Sequence, residues 1–102
     1  MARFDVHEYG SSDVPFVIDV QADLLSGLKS RVVVPLLRAP LNDEKFFPRL
    51  NPVIIINEER YILMTADIGS ESCDALGKKV ANLEDRYRQE ITDALDFLFQ
   101  GF

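Results

Sequence analysis

Between Leu83 and Phe99 the chain has no Gly or Pro and is rich in good helix formers. Apolar residues recur at Leu83, Tyr87, Ile91, Ala94, Leu95 and Leu98. Steps of three and four place them on one stripe, which predicts an α-helix over about 84–99. Measured from Ile91, Leu95 and Leu98 lie within about 40° of the stripe centre. Phe99 is displaced by about 80°, Phe97 by about 120° and Asp96 by about 140°, with Gln100 almost opposite. The last turn therefore has a flank that a core does not need. Asp93 and Asp96 stand near the C-terminal end, where the helix dipole disfavours negative charge by a few tenths to about 1 kcal/mol. Two expectations follow for this end: a frayed, solvated acidic terminus, or a tip that docks another protein.

Upstream the period shortens to two. Phe4 and Val6 alternate with Asp5 and His7, which predicts a strand to Tyr9. Gly10-Ser11-Ser12-Asp13 is turn chemistry, and Val14 to Val20 forms a second strand with Phe16, Ile18 and Val20 on one face. Asp23-Leu24-Leu25-Ser26-Gly27 is too short for an independent helix and is expected to be a loop. Arg31 to Leu37 is β-branched and nearly continuous in apolar residues, as in a strand buried on both faces; Pro35 marks an edge, bulge or kink. Pro40, Pro48 and Pro52 bracket a loop that carries Phe46 and Phe47. Val53 to Ile56 and Arg60 to Thr65 flank the polar turn Asn57-Glu58-Glu59, a hairpin pattern. Asp67 to Asn82, with Gly69 and Gly77, reads as short strands or turns. The expected fold class is α+β: a small antiparallel β-barrel or sheet over about 3–80, then one C-terminal α-helix.

A chain of 102 residues has room for one domain, spanning 1–102, that buries roughly two-thirds of its unfolded surface. Hydrophobic content of 47% and charged content of 27% are globular values. Eleven basic against seventeen acidic residues gives −6, which argues against direct binding of nucleic acid and favours a basic protein surface as partner. No apolar run reaches the roughly 18 residues that a membrane span needs. Met1-Ala2-Arg3-Phe4-Asp5 lacks the apolar core of a signal peptide. A single cysteine, Cys73, cannot form an internal disulfide and fits a reducing cytoplasm.

Catalytic chemistry finds little support. His7 is the only histidine, so no two-histidine metal site forms within one chain. Its position in a strand suits a structural or surface role better than that of a general base. Glu71 and Asp74 beside Cys73 disfavour a thiolate. Glu90, Asp93 and Asp96 line one helix face but bring no further oxygen ligands for a hard cation. No phosphate-binding glycine loop or nucleophile elbow is present. The expectation is a non-enzyme without cofactor or metal.

Four segments in order carry a resemblance over essentially the whole chain. Phe16-Val17-Ile18-Asp19-Val20-Gln21-Ala22-Asp23-Leu24-Leu25 resembles the Phe-Val-Asp-Val-Gln-Ser-Asp signature of the CcdB toxin family. Arg31-Val32-Val33-Val34-Pro35-Leu36 is similar to its next strand, Arg-x-Val-x-Pro-Leu. Pro52 to Ile56, Glu59 and Leu63-Met64-Thr65-Ala66-Asp67 are similar to its central hairpin. Val80-Ala81-Asn82-Leu83 leads into its C-terminal helix, which ends in the same Gly-plus-apolar pair, here Gly101-Phe102.

The resemblance implies a type II toxin with an SH3-like barrel and C-terminal helix, acting as a homodimer in the cytoplasm and carried on a plasmid or chromosome. Its implied target is the DNA gyrase A subunit, which such toxins trap on cleaved DNA. Its implied antidote is a cognate CcdA-like antitoxin that also represses the shared operon. By position, gyrase contacts fall on Asp96, Phe99, Gln100, Gly101 and Phe102, with Leu24 and Leu25 nearby. Antitoxin contacts fall on the loops around Ser11 and Asp13 and around Asp43, Lys45 and Arg49. One departure concerns the tip: the best-known pattern has Trp before the final Gly, where this chain has Gln100. An amide cannot replace the buried area of such an anchor, so Phe99 and Phe102 are the nearby aromatic substitutes. Two alternatives stay open. One is a family member reduced to an antitoxin-binding interaction module. The other is an endoribonuclease toxin on the same barrel, drawing on His7, Arg31 or Arg60 with nearby carboxylates.

Overall fold

The computed structural model describes residues 2–39 and 46–101. Seven strands build it: β1 (Asp5–Tyr9), β2 (Phe16–Asp19), β3 (Ser30–Arg38), β4 (Val53–Ile56), β5 (Glu59–Leu63), β6 (Gly69–Ser72) and β7 (Leu76–Asn82). One helix, α1 (Glu84–Gln100), follows. Every pairing is antiparallel, in the order β4-β5-β3-β2-β1-β7, with β6 on β3. The sheet curls into a half-barrel, and the fold class is α+β as expected.

β3 organises the sheet because it is long enough to serve two partners on one edge. Residues Ser30 to Val33 pair with β6, and Leu36 to Arg38 pair with β5. Pro35 sits in the gap between them, where a missing N–H breaks no ladder on that edge. Its carbonyl still accepts from the Met64 amide at 2.9 Å.

One face of the sheet packs on α1. Val6, Ile18, Val34, Leu36, Ile54, Ile56, Tyr61 and Leu63 meet Leu83, Tyr87, Ile91 and Ala94, with Leu95 half-buried at the margin. Tyr87 also reaches across with its hydroxyl, which accepts from the Ile55 amide of edge strand β4 at 3.0 Å. That contact caps part of an edge that would otherwise be open. The helical stripe is thus the one the periodicity predicts.

Part of the other face is buried too, which corrects the simple reading of β1. Asp5 and His7 alternate with apolar residues, yet both are buried. Their partners come from β7: the Asn82 amide donates to Asp5 Oδ1 at 2.8 Å, Lys79 Nζ lies 3.3 Å from it, and His7 Nδ1 is 3.1 Å from the Gly77 carbonyl. Gly77 is required there, because a Cβ would stand 2.9 Å from the Glu8 carbonyl oxygen. The alternation separates two buried layers rather than core from water.

Two further buried polar residues, Asp19 and Arg31, form a pair. Arg31 Nε donates to Asp19 Oδ2 at 2.6 Å, with the side chains 1% and 0% exposed. Arg31 Nη1 and Nη2 find no acceptor among the described residues.

Three further local expectations are refined. Asp23–Leu25 forms one 3-10 turn rather than an irregular loop. Ile56 pairs with Glu59, so the hairpin turn is only Asn57-Glu58, both at positive φ (51° and 69°), as a two-residue type I′ turn demands. The ambiguous stretch before α1 contains β6, a 3-10 turn at Cys73–Ala75, and β7, which runs on to Asn82.

Asp5 supplies a test of the buried polar layer. Burial opposes its ionisation, but hydrogen bonds from Asn82, the Ala2 amide and Lys79 outweigh that and hold its pKa below the ordinary 3.8. A depressed carboxyl stabilises the fold above its unfolded pKa, and this contribution is lost as pH falls through the folded value. Denaturant midpoints are expected to drop below about pH 4, and the Asp5→Asn variant is expected to show a shallower drop. An unchanged pH slope in that variant would contradict the assignment.

Candidate functional site

α1 is anchored at its start and middle and free at its end. The Asn82 side chain accepts from the Glu84 amide at 2.9 Å, and Glu84 and Asp85 sit in the first turn, where the dipole favours acids. At the other end Gly101 adopts the left-handed conformation (φ 78°), and its amide donates to the Phe97 carbonyl at 2.9 Å. A glycine reaches that conformation without the steric cost that a side chain carries. The helix is therefore closed cleanly rather than frayed.

Around this tip Phe99 is 70% exposed, and Asp96, Gln100 and Gly101 are exposed as well. Leu98 is half-buried. No basic residue stands in the last turn, so Asp96 adds to the negative end of the dipole instead of offsetting it. Phe102 lies outside the described residues. Phe97, on the flank opposite Phe99, is half-buried beneath the Arg49 guanidinium, whose carbon lies 4.9 Å from the ring centroid. Sequence spacing gives no hint of this contact between a loop and the helix.

Leu24 and Leu25 are also exposed, at 93% and 47%. Their turn is tied down by the Arg3 amide, which donates to Asp23 Oδ1 at 2.8 Å, and by Gln21 Nε2, which donates to the Leu25 carbonyl at 3.1 Å. Arg3 in turn accepts from Asn82 at 3.2 Å, where α1 begins. The helix is about 25 Å long, so these anchors belong to the end opposite Gly101. Among the described residues no hydrogen bond joins the turn to the tip.

Of the second group, Ser11 is half-buried and Asp13 is exposed, with the Asp13 amide donating to Ser11 Oγ at 3.3 Å. Val14, next to Asp13 in the chain, lines a pocket of about 200 Å³ together with Tyr9, Val17, Val33 and Glu71. Tyr9 donates to Glu71 at 2.6 Å, which pushes the phenol pKa up. Asp43 and Lys45 lie outside the described residues. Arg49 is exposed and reaches the tip instead.

The nucleolytic candidates do not converge. His7 is buried against β7, Arg31 is buried on Asp19, and Arg60 is exposed beside the distal hairpin turn. Cys73 is half-buried, with its thiol 3.7 Å from the Leu28 carbonyl. Among the described residues no cluster of three or more His, Cys, Asp or Glu side chains is placed to hold a metal ion. None of the described helices is long and apolar enough to cross a membrane.

The half-barrel carrying one helix recurs among solved structures. It is shared with a solved structure described as an endoribonuclease in complex with its cognate antitoxin from Mycobacterial species. That likeness has a TM-score of 0.75 and covers 94% of this chain and 91% of that one; at 15% identity it is a likeness of fold. The sequence is more specific: residues 3–101 match the CcdB protein family, and the chain belongs to it. Membership implies the toxin of a toxin–antitoxin pair.

Proposed function

We propose that this chain is a non-enzymatic toxin that docks on the DNA gyrase A subunit through its helix tip and traps gyrase on cleaved DNA. The observation that carries the proposal is the division of α1. Tyr87, Ile91 and Ala94 are buried, while Asp96, Phe99 and Gln100 stand outside the core on a glycine-capped end. A rigid terminus with exposed aromatic surface suits recognition, because little ordering entropy is lost on binding. Leu24 and Leu25 form a second exposed apolar point. The damage would come from gyrase's own chemistry, in keeping with candidates for catalysis that do not converge.

A cognate antitoxin would neutralise the toxin at the loop around Ser11 and Asp13 and at the loop that ends in Arg49. The neighbouring fold described with its antitoxin supports such a partner. A homodimer in the cytoplasm is the expected working form. Operon repression would fall to the antitoxin, since a toxin carrying −6 is repelled by phosphate.

The endoribonuclease reading has one point in its favour, the activity named for that neighbouring fold. The separation of His7, Arg31 and Arg60 weighs against it. Two incubations separate the readings. Gyrase with plasmid DNA is expected to accumulate cleaved complexes when the protein is added, and RNA is expected to survive intact. Specific RNA cuts that vanish in His7→Ala would reverse the ranking.

A further inference from the structure

We propose that Phe47 is a second aromatic anchor of the docking surface, held beside the helix tip by Arg49. This rests on the gyrase reading above and extends it to a part of the chain outside the helix. Phe47 is 66% exposed, although it lies in a turn that is fixed. Its carbonyl accepts from the Asn51 amide at 2.7 Å, and Asn51 is itself buried, donating to the Leu63 carbonyl at 3.0 Å. Two residues on, Arg49 lies over the Phe97 ring in the last turn of α1. A cation over an aromatic face contributes about 0.5–1 kcal/mol at an exposed site, enough to bias the turn toward the helix.

The result is aromatic surface on both flanks of one helix end. Phe99 projects on one side and Phe97, under Arg49, on the other, about 160° apart around the axis, and Phe47 stands two residues along the chain from Arg49. Gln100 lies between them and contributes no aromatic area. A large exposed ring on an anchored turn has little to gain from water and much to give an interface, where buried aromatic residues dominate binding energy.

Charge selects the occupant. The negative end of the helix dipole, Asp93 and Asp96 all face this region, and the last turn has no basic residue. The single cation here, among the described residues, is Arg49, which is already stacked on Phe97. The fitting partner presents apolar pockets with a basic rim. A second copy of this chain, with a surplus of acids, is the poorer match.

The test compares the full chain with Phe47→Ala, Phe47→Trp and a chain lacking residues 100–102, each titrated against purified gyrase A subunit. Sedimentation and thermal melts are recorded in parallel. Phe47→Ala is expected to bind at least about tenfold more weakly, with unchanged melting and oligomeric state, and Phe47→Trp is expected to retain binding. Full affinity in Phe47→Ala, with binding lost on truncation, overturns the inference and leaves the gyrase reading standing. Absence of binding by the unaltered chain overturns both. Loss of the dimer in Phe47→Ala, or weakened binding of the antitoxin alone, assigns the ring to those partners and equally overturns the inference.

Discussion

Removing residues 100–102 is expected to abolish growth arrest in cells that make the protein without its antitoxin. The same truncation is expected to leave the chain folded. The buried part of α1 ends upstream, at Tyr87, Ile91 and Ala94, and Leu95 and Leu98 are only half-buried. The lost Gly101 cap costs the helix end about 1 kcal/mol or less. For a domain of this size that lowers the melting temperature by roughly 4–8 °C, so most molecules stay native at growth temperature. Binding losses act on a different scale. A hot-spot residue contributes 2 kcal/mol or more, a factor of about thirty in affinity, and several tip groups go together. Killing that persists in a truncated, folded, antitoxin-binding protein would remove the tip from the mechanism.

The largest expected stability effect lies on the buried face of the sheet, far from the tip. Asp19→Ala leaves the Arg31 guanidinium 1% exposed and without the one acceptor it has among the described residues. Stranding a buried charge in this way typically costs about 3–5 kcal/mol, against a total stability of about 5–15 kcal/mol. The variant is therefore expected to lose a large fraction of its stability, with a clearly lowered urea midpoint reporting the loss. Replacing both residues by apolar ones of similar volume, Asp19→Leu with Arg31→Met, is expected to be milder than Asp19→Ala alone. The penalty comes from the unpaired charge rather than from the missing contact. A cost below about 1 kcal/mol for Asp19→Ala would mean that water reaches the guanidinium and that the layer is not dry.

How far the sequence speaks depends on the range of the interaction. The helix, its core stripe and its free flank follow from residue spacing alone, and Leu95, Asp96, Phe99 and Gln100 lie where that geometry puts them. The buried second face is illegible locally. Alternation at Asp5 and His7 looks the same whether the polar side meets water or meets β7. The Asp19–Arg31 pair depends on β2 and β3 packing in a register that sets Asp19 opposite Val33. The hairpin at Asn57-Glu58 is legible as a polar turn, but its two-residue length is not, because neither residue is the glycine that usually marks a positive φ. Leu24 and Leu25 are exposed, and their anchors at the start of α1, away from the tip, emerge only from long-range hydrogen bonds. The contact of Arg49 with Phe97 joins a loop and a helix distant in sequence, and no periodicity announces it.

The most direct test of the docking tip is a gyrase reaction on supercoiled plasmid, run with the intact protein and, side by side, with the chain lacking residues 100–102. Denaturant-trapped, cleaved plasmid is expected to accumulate with the intact protein, in proportion to its concentration, and to stay at background with the truncated one. Background cleavage at saturating intact protein, or equal cleavage by both chains, would contradict the account.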